Sequence, residues 1–205
     1  MPRAKQRTPE LRDRVLSVAV DVLSEAGVSG FTTRRVAEQA RTSVPAVYEL
    51  FTDKAGLVRE VYFEGFRRLA RTMAAVPETR NPVTDLEHLI PVFRRFCLTY
   101  PALARVMFSR PFQDLDPGPA ELAAAPTVRD IFIRKVQRCI DADQLAGDAV
   151  DIAHVLLALA QGLAVQEGGR WLGASQESVD RRWEVGVDSV LRGFSPANLD
   201  TRQPD

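Results

Sequence analysis

Cysteine and histidine are scarce in this 205-residue chain, with two of each. Cys97 and Cys139 lie far apart in helix-period stretches, so neither CxxC chemistry nor a disulfide framework is indicated. The two histidines and two cysteines show no metal-ligand spacing, which argues against a metal site. Charge of one sign is also lacking, because 27 basic residues balance 27 acidic ones. Overall charge therefore gives no pointer to nucleic acid. No segment reads as a membrane span: the longest apolar window, Val150 to Val165, is short and is interrupted by Asp151, His154, Gln161 and Gly162. The N-terminus carries no apolar secretory core. The expected compartment is the cytoplasm, with no membrane partner. Strand-like alternation, internal repeats and low-complexity tracts are missing. So are a nucleophile elbow, a phosphate-cradling glycine loop and a Cys–His pair. Neither an enzyme nor a cofactor is expected.

What the chain does hold is helical periodicity. Thr8-Pro9-Glu10 is a helix start: a capping hydroxyl, proline at the first helical position and an acid at the positive dipole end. Val15, Leu16, Ala19, Val22, Leu23 and Ala26 follow on one face until Gly27. Thr32 or Thr33 can cap a second, short helix with Val36, Ala37 and Ala40 inward. Ser43 caps a third that turns Val47, Leu50 and Phe51 inward. About three residues separate these two short helices, the connection length of a helix-turn-helix unit. Their apolar faces complete a three-helix head ending near Thr52. The third helix leaves Val44, Pro45, Ala46, Tyr48 and Glu49 outward near its N-terminal end, where such a helix meets base edges. Arg34 opens the preceding helix, and an arginine fork fits the two acceptors of guanine. Ahead of the head, residues 1–14 hold five basic residues (Arg3, Lys5, Arg7, Arg12, Arg14) against Glu10 and Asp13, and this run reads as an arm along phosphates or in the minor groove.

Asp53 can cap a long helix over about 54–75, with Leu57, Val58, Val61, Tyr62, Leu69 and Met73 inward. Further helices are expected over about 83–100, where Pro91 predicts a kink, over a short stretch after Pro101, and over about 127–143, 148–167 and 176–193. A loop rich in Pro and Asp is expected over 111–126. The 148–167 helix is apolar nearly all round, so its surface must be covered from both sides.

The run TTRRVAEQA, followed by SVPAVYELF, then Asp53, Lys54 and Leu57, resembles the DNA-binding head of the TetR/AcrR transcriptional regulators over roughly residues 8–62. Arg41 stands where that pattern has glycine, so either the turn differs here or Arg41 bears backbone strain and can reach a phosphate. The resemblance implies an all-α fold: an N-terminal three-helix helix-turn-helix head plus a larger C-terminal helical ligand-binding and dimerisation domain. It implies a division into 1–53 with the basic arm, a connecting helix over 54–75, and 76–205. The DNA-facing set would be Thr33, Arg34, Ser43, Val44, Pro45, Ala46, Tyr48 and Lys54, with Tyr48 and Lys54 on phosphates. Phe93, Phe96, Tyr100, Met107, Phe108, Phe132, Leu156 and Leu159 would line a pocket for a small apolar effector. Val155, Leu159, Leu163, Val179, Trp183, Val187 and Val190 would face a second copy in a four-helix dimer interface. The implied function is a ligand-responsive repressor that binds a near-palindromic double-stranded operator as a homodimer. A constitutive or activating regulator without an effector competes with it, and more remotely an all-helical enzyme.

Overall fold

The computed structural model describes residues 8–109 and 126–199, and among them every regular element is a helix. Arg3, Lys5 and Arg7 of the expected arm lie outside the described residues, as does all but the last residue of the expected loop at 111–126. The described residues fall into two compact units, 8–68 with 100–109, and 69–99 with 126–199.

In the first unit, α1 (Pro9–Gly30) starts on Thr8, whose hydroxyl accepts from the Leu11 amide at 3.3 Å. Its buried stripe is Val15, Leu16, Ala19, Val20, Val22 and Leu23. Gly27 breaks the helical geometry with φ 66° and ψ −174°, a backbone region open to glycine, and one further turn runs on to Gly30. Phe31, fully buried, then anchors α2 (Thr33–Gln39) and α3 (Val44–Phe51) under α1. α4 (Lys54–Ala74) follows, and α6 (Pro101–Ser109) packs on α1. Phe66 of α4 meets Phe108 of α6 edge to face, ring centroids 5.9 Å apart.

The second unit holds the end of α4, α5 (Pro82–Thr99), α7 (Pro126–Asp141), α8 (Ala149–Gly168), α9 (Gln176–Gly193) and the single turn α10 (Pro196–Leu199). α5 runs through Pro91 as one helix, with the proline on its exposed side. Phe93, Phe132, Ile152 and Leu156 are fully buried at its centre. Asp148 caps α8 by accepting from the Val150 and Asp151 amides, both at 2.9 Å, and Ser175 caps α9 through the Ser178 amide. α8 packs against α5, α7 and α9 with Ile152, Ala153, Leu156, Leu157 and Ala160. Its opposite stripe, Val155, Ala158, Gly162 and Val165, is uncovered. At 20 residues α8 is longer than the apolar window read from sequence, and by length and composition alone it is apolar enough to cross a membrane.

Two charged clusters fasten this unit. Asp85 is fully buried, and both its oxygens accept from the Thr79 amide at 2.9 Å. Arg138 of α7 donates to the same carboxylate at 2.8 Å and to the Thr79 carbonyl at 3.0 Å. Burial pushes the Asp85 carboxyl up, but the Thr79 and Arg138 hydrogen bonds outweigh it and hold its pKa down at about 2. Lys135 Nζ, buried beside them, lies 3.3 Å from Glu78 without hydrogen-bond alignment. In the second cluster, Arg94 of α5 forks onto Glu167 of α8 at 2.8 and 2.7 Å and reaches Asp180 of α9 at 2.7 Å. The Trp183 indole donates to Glu167 at 2.8 Å, and its ring lies under the Arg94 guanidinium at 5.4 Å.

Candidate nucleic-acid interface

α2 begins where Thr32, in extended conformation, accepts the Arg35 amide at 3.2 Å. Of the two possible caps, Thr32 performs the task. Thr33 is instead buried, 6% exposed, and its hydroxyl has no hydrogen-bond partner. α2 closes on a Schellman turn. Ala40 is the cap, the Arg41 amide donates to the Glu38 carbonyl at 3.1 Å, and the Thr42 amide donates to Ala37 at 2.9 Å. Arg41 occupies the left-handed position of that turn with φ 54°. The glycine-type geometry is therefore kept without the glycine, and Arg41 bears strain of about 1–2 kcal/mol. From α1, Arg14 Nε donates to the Ala40 carbonyl at 3.2 Å and braces the same turn.

Ser43 then caps α3, accepting the Ala46 amide at 3.3 Å, with Pro45 in the first turn. Val47 and Phe51 are buried, and Arg12 stacks over the Phe51 ring at 5.2 Å while pairing with Glu60 at 2.9 Å. Arg12 and Arg14 thus both make contacts within the first unit. On the other side of α3, Pro45 and Tyr48 are exposed, Tyr48 by 40%, while Val44 and Ala46 are half-buried. The helix has one face for its own core and one for something else.

After α3 the chain reverses tightly. Thr52 has φ 71° and ψ −56°, and the Asp53 amide donates to the Phe51 carbonyl at 2.8 Å, which makes a strained γ-turn. Asp53 caps α4 by accepting the Gly56 amide at 2.7 Å. The Phe51 carbonyl sits so close to Gly56 that no β-carbon fits there. Lys54, the first residue of α4, is exposed.

Around α3 the exposed groups include Arg34, Arg41, Tyr48 and Lys54. Arg34 pairs with Glu38 at 2.9 Å, both exposed, a contact worth under about 1 kcal/mol and easily exchanged for a phosphate. Arg41 falls outside the sequence-derived set. Its signal was the missing glycine, which marked a backbone position and left open where the guanidinium points. Among the described residues, no group of three or more His, Cys, Asp or Glu is placed to hold a metal ion.

The expected pocket residues divide between the two compact units. Phe93, Phe96, Phe132 and Leu156 are buried in the second unit, where Leu159 is half-buried, whereas Tyr100, Met107 and Phe108 belong to the first. None lines either of two cavities of the second unit. One, of about 330 Å³, is bounded by Met73, Pro77, Ile131 and Lys135. The other is a groove of about 490 Å³ between α5 and α9. Of the expected dimer residues, Val179 and Trp183 are covered by their own chain, Val155 is exposed, and Leu159, Leu163, Val187 and Val190 are half-buried.

Two family profiles match this chain: "Bacterial regulatory proteins, tetR family" over residues 15–61, and "Tetracyclin repressor-like, C-terminal domain" over residues 86–190. An HTH-type transcriptional regulator of Bacillus subtilis (strain 168), YdeS, described as uncharacterized, is 29% identical over 84 residues. That stretch spans 41% of this chain and 40% of the relative's length. A protein with unknown function from Rhodococcus sp. RHA1 has a structure similar to this one at a TM-score of 0.77, with 26% identity and coverage of 93% of this chain and 98% of that one. A TetR variant from Acinetobacter baumannii AYE, solved in complex with minocycline, shares the fold at a TM-score of 0.63 and 20% identity, covering 93% and 97%.

Proposed function

The chain belongs to the tetR family of bacterial regulatory proteins, and on that premise we propose that it is a ligand-responsive repressor acting as a homodimer on a near-palindromic operator. Members of this family are DNA-binding transcription factors and not enzymes. The observation that carries the reading is the division of α3: Val47 and Phe51 fix it to the head while Pro45 and Tyr48 stay exposed. In this reading α3 enters the major groove. Val44, Pro45 and Ala46 face base edges and thymine methyls, and Arg34 offers its fork to guanine. Tyr48 and Lys54 hold phosphates, Ser43 caps α3 and stays exposed, and Thr33 lies buried beside the Thr32 cap of α2. Two heads on one two-fold axis would engage half-sites about 34–36 Å apart.

The uncovered stripe of α8 supports the homodimer, since a helix with an apolar exposed side needs a cover and a second copy supplies an identical one. The head over 1–53, the connecting helix over 54–75 and the effector and dimer domain over 76–205 form the working division. An apolar effector would act by its differential affinity for two states of the chain, and α4, which contributes to both compact units, would carry the change. We place the protein in the cytoplasm, with the operator. A constitutive or activating regulator is the competing reading. It is favoured by Phe93 and Phe132, which are fully buried as core. Binding of a selected operator by the wild-type chain and by Arg34→Ala and Tyr48→Phe tests the DNA face. Unchanged affinity in both variants would refute it.

A further inference from the structure

Trp171 is 82% exposed, although a tryptophan is among the most costly side chains to leave in water. It is not on a loose loop. The end of α8 closes as a Schellman turn, with Arg170 at φ 61° donating to the Glu167 carbonyl at 3.0 Å and the Trp171 amide donating to Gln166 at 2.8 Å. Leu172, buried, anchors the next residue. The turn therefore presents an indole and the Arg170 guanidinium outward on a fixed backbone. The indole lies beside Gly169, at the end of the uncovered stripe Val155, Ala158, Gly162 and Val165.

The same unit carries a complementary receptor. The groove of about 490 Å³ between α5 and α9 has Ile90, Pro91, Trp183 and Val187 as apolar lining. Glu87 and Glu184 stand at its edge and neither has an ion-pair partner among the described residues. Arg94, the one cation of the lining among the described residues, is already neutralised by Glu167 and Asp180. An apolar slot with acidic edges fits an aromatic knob accompanied by a cation.

We propose that in the homodimer the Arg170–Trp171 turn of each protomer docks in the α5–α9 groove of a second copy. The indole covers the apolar lining, and Arg170 pairs with the Glu87 and Glu184 edge. Two-fold symmetry makes the exchange reciprocal, so one contact type is made twice. The inference rests on the homodimer reading above, and it adds the anchor and its seat to that reading.

Acrylamide quenching of tryptophan fluorescence, followed with sedimentation across the monomer–dimer equilibrium, tests it. Trp183 is buried, so Trp171 supplies the quenchable signal; Trp171→Phe confirms the assignment by abolishing it. The expected result is a Trp171 signal that is quenched in the monomer and protected in the dimer. Trp171→Ala and Glu184→Arg each weaken dimerisation about tenfold or more. Arg170→Glu combined with Glu184→Arg restores most of the loss. All of these positions are exposed, and melting curves monitor folding. A dimer in which Trp171 stays quenchable, or Trp171→Ala that dimerises like wild type, overturns the docking and leaves the groove to a small cationic occupant while the dimer stands. A chain that stays monomeric throughout overturns the dimer reading and the docking together.

Discussion

The Thr42 amide reaches back 2.9 Å to the carbonyl of Ala37, and the residue that must turn left-handed to allow it is an arginine. Replacing Arg41 with glycine removes the steric strain at the cost of a more flexible unfolded chain. Arg41→Gly is expected to raise stability by roughly 0.5–1 kcal/mol in urea unfolding. If Arg41 also touches a phosphate, the same variant binds operator more weakly despite being more stable, and its salt slope falls by about 1.

Gly56 sets the join between α3 and α4. A β-carbon there meets the Phe51 carbonyl at the Thr52 γ-turn, a clash with backbone that no rotamer relieves. Gly56→Ala is expected to cost about 1–3 kcal/mol of stability. Denaturant titration measures it, and a variant as stable as wild type would show that the turn is more forgiving than its geometry implies.

Much of the head could be read from sequence because its signals are local. Thr8, Ser43 and Asp53 each accept a hydrogen bond from an amide three residues on, and Val36, Ala37, Val47 and Phe51 face inward at helical spacing. The clusters were not legible in this way. Arg94 and Glu167 are 73 positions apart, and neither carries a mark that names the other. Trp183 shows the same limit. Periodicity placed it on an apolar face, but burial by its own chain and burial by a second copy give one pattern, and its indole is committed to Glu167. Of the aromatic set, Phe108 packs on Phe66 in one unit, and Phe93 and Phe132 are buried in the core of the other. Gly27 reads as a stop, and the chain adds one more turn beyond it.

Acid should loosen the second unit through Asp85. Its pKa in the fold, about 2, lies below the ordinary 3.8, so its contribution is fully present above about pH 4 and is lost as pH falls towards 2. Asp85→Asn is expected to lower stability at neutral pH and to flatten the acid limb of the stability curve. Urea unfolding followed from pH 6 down to about pH 2 measures both. A limb as steep as that of wild type would mean that other carboxylates dominate.

The thiols should be inert in the native protein. Burial pushes Cys97 up to about 12 and Cys139 up to about 11, so almost no thiolate exists near neutrality. Thiol titration at pH 8 is expected to report none until denaturant is added, and rapid labelling of either cysteine would contradict the packing around it.

Arg34→Ala is expected to cost about 1–3 kcal/mol of operator affinity and to relax preference at one base pair. Lys54→Ala should weaken all duplexes alike and lower the salt slope by about 1. Gel-shift titrations at several salt concentrations separate the two effects.

The most direct trial of the exposed edge of α3 is selection of duplexes from a random pool, with stoichiometry measured on the enriched sequence. The account predicts a near-palindromic sequence bound by two chains, with half-sites about 34–36 Å apart, whose enrichment collapses when Tyr48 and Arg34 are both replaced by alanine. No enrichment by the wild-type chain, or enrichment that the double variant retains, would contradict it.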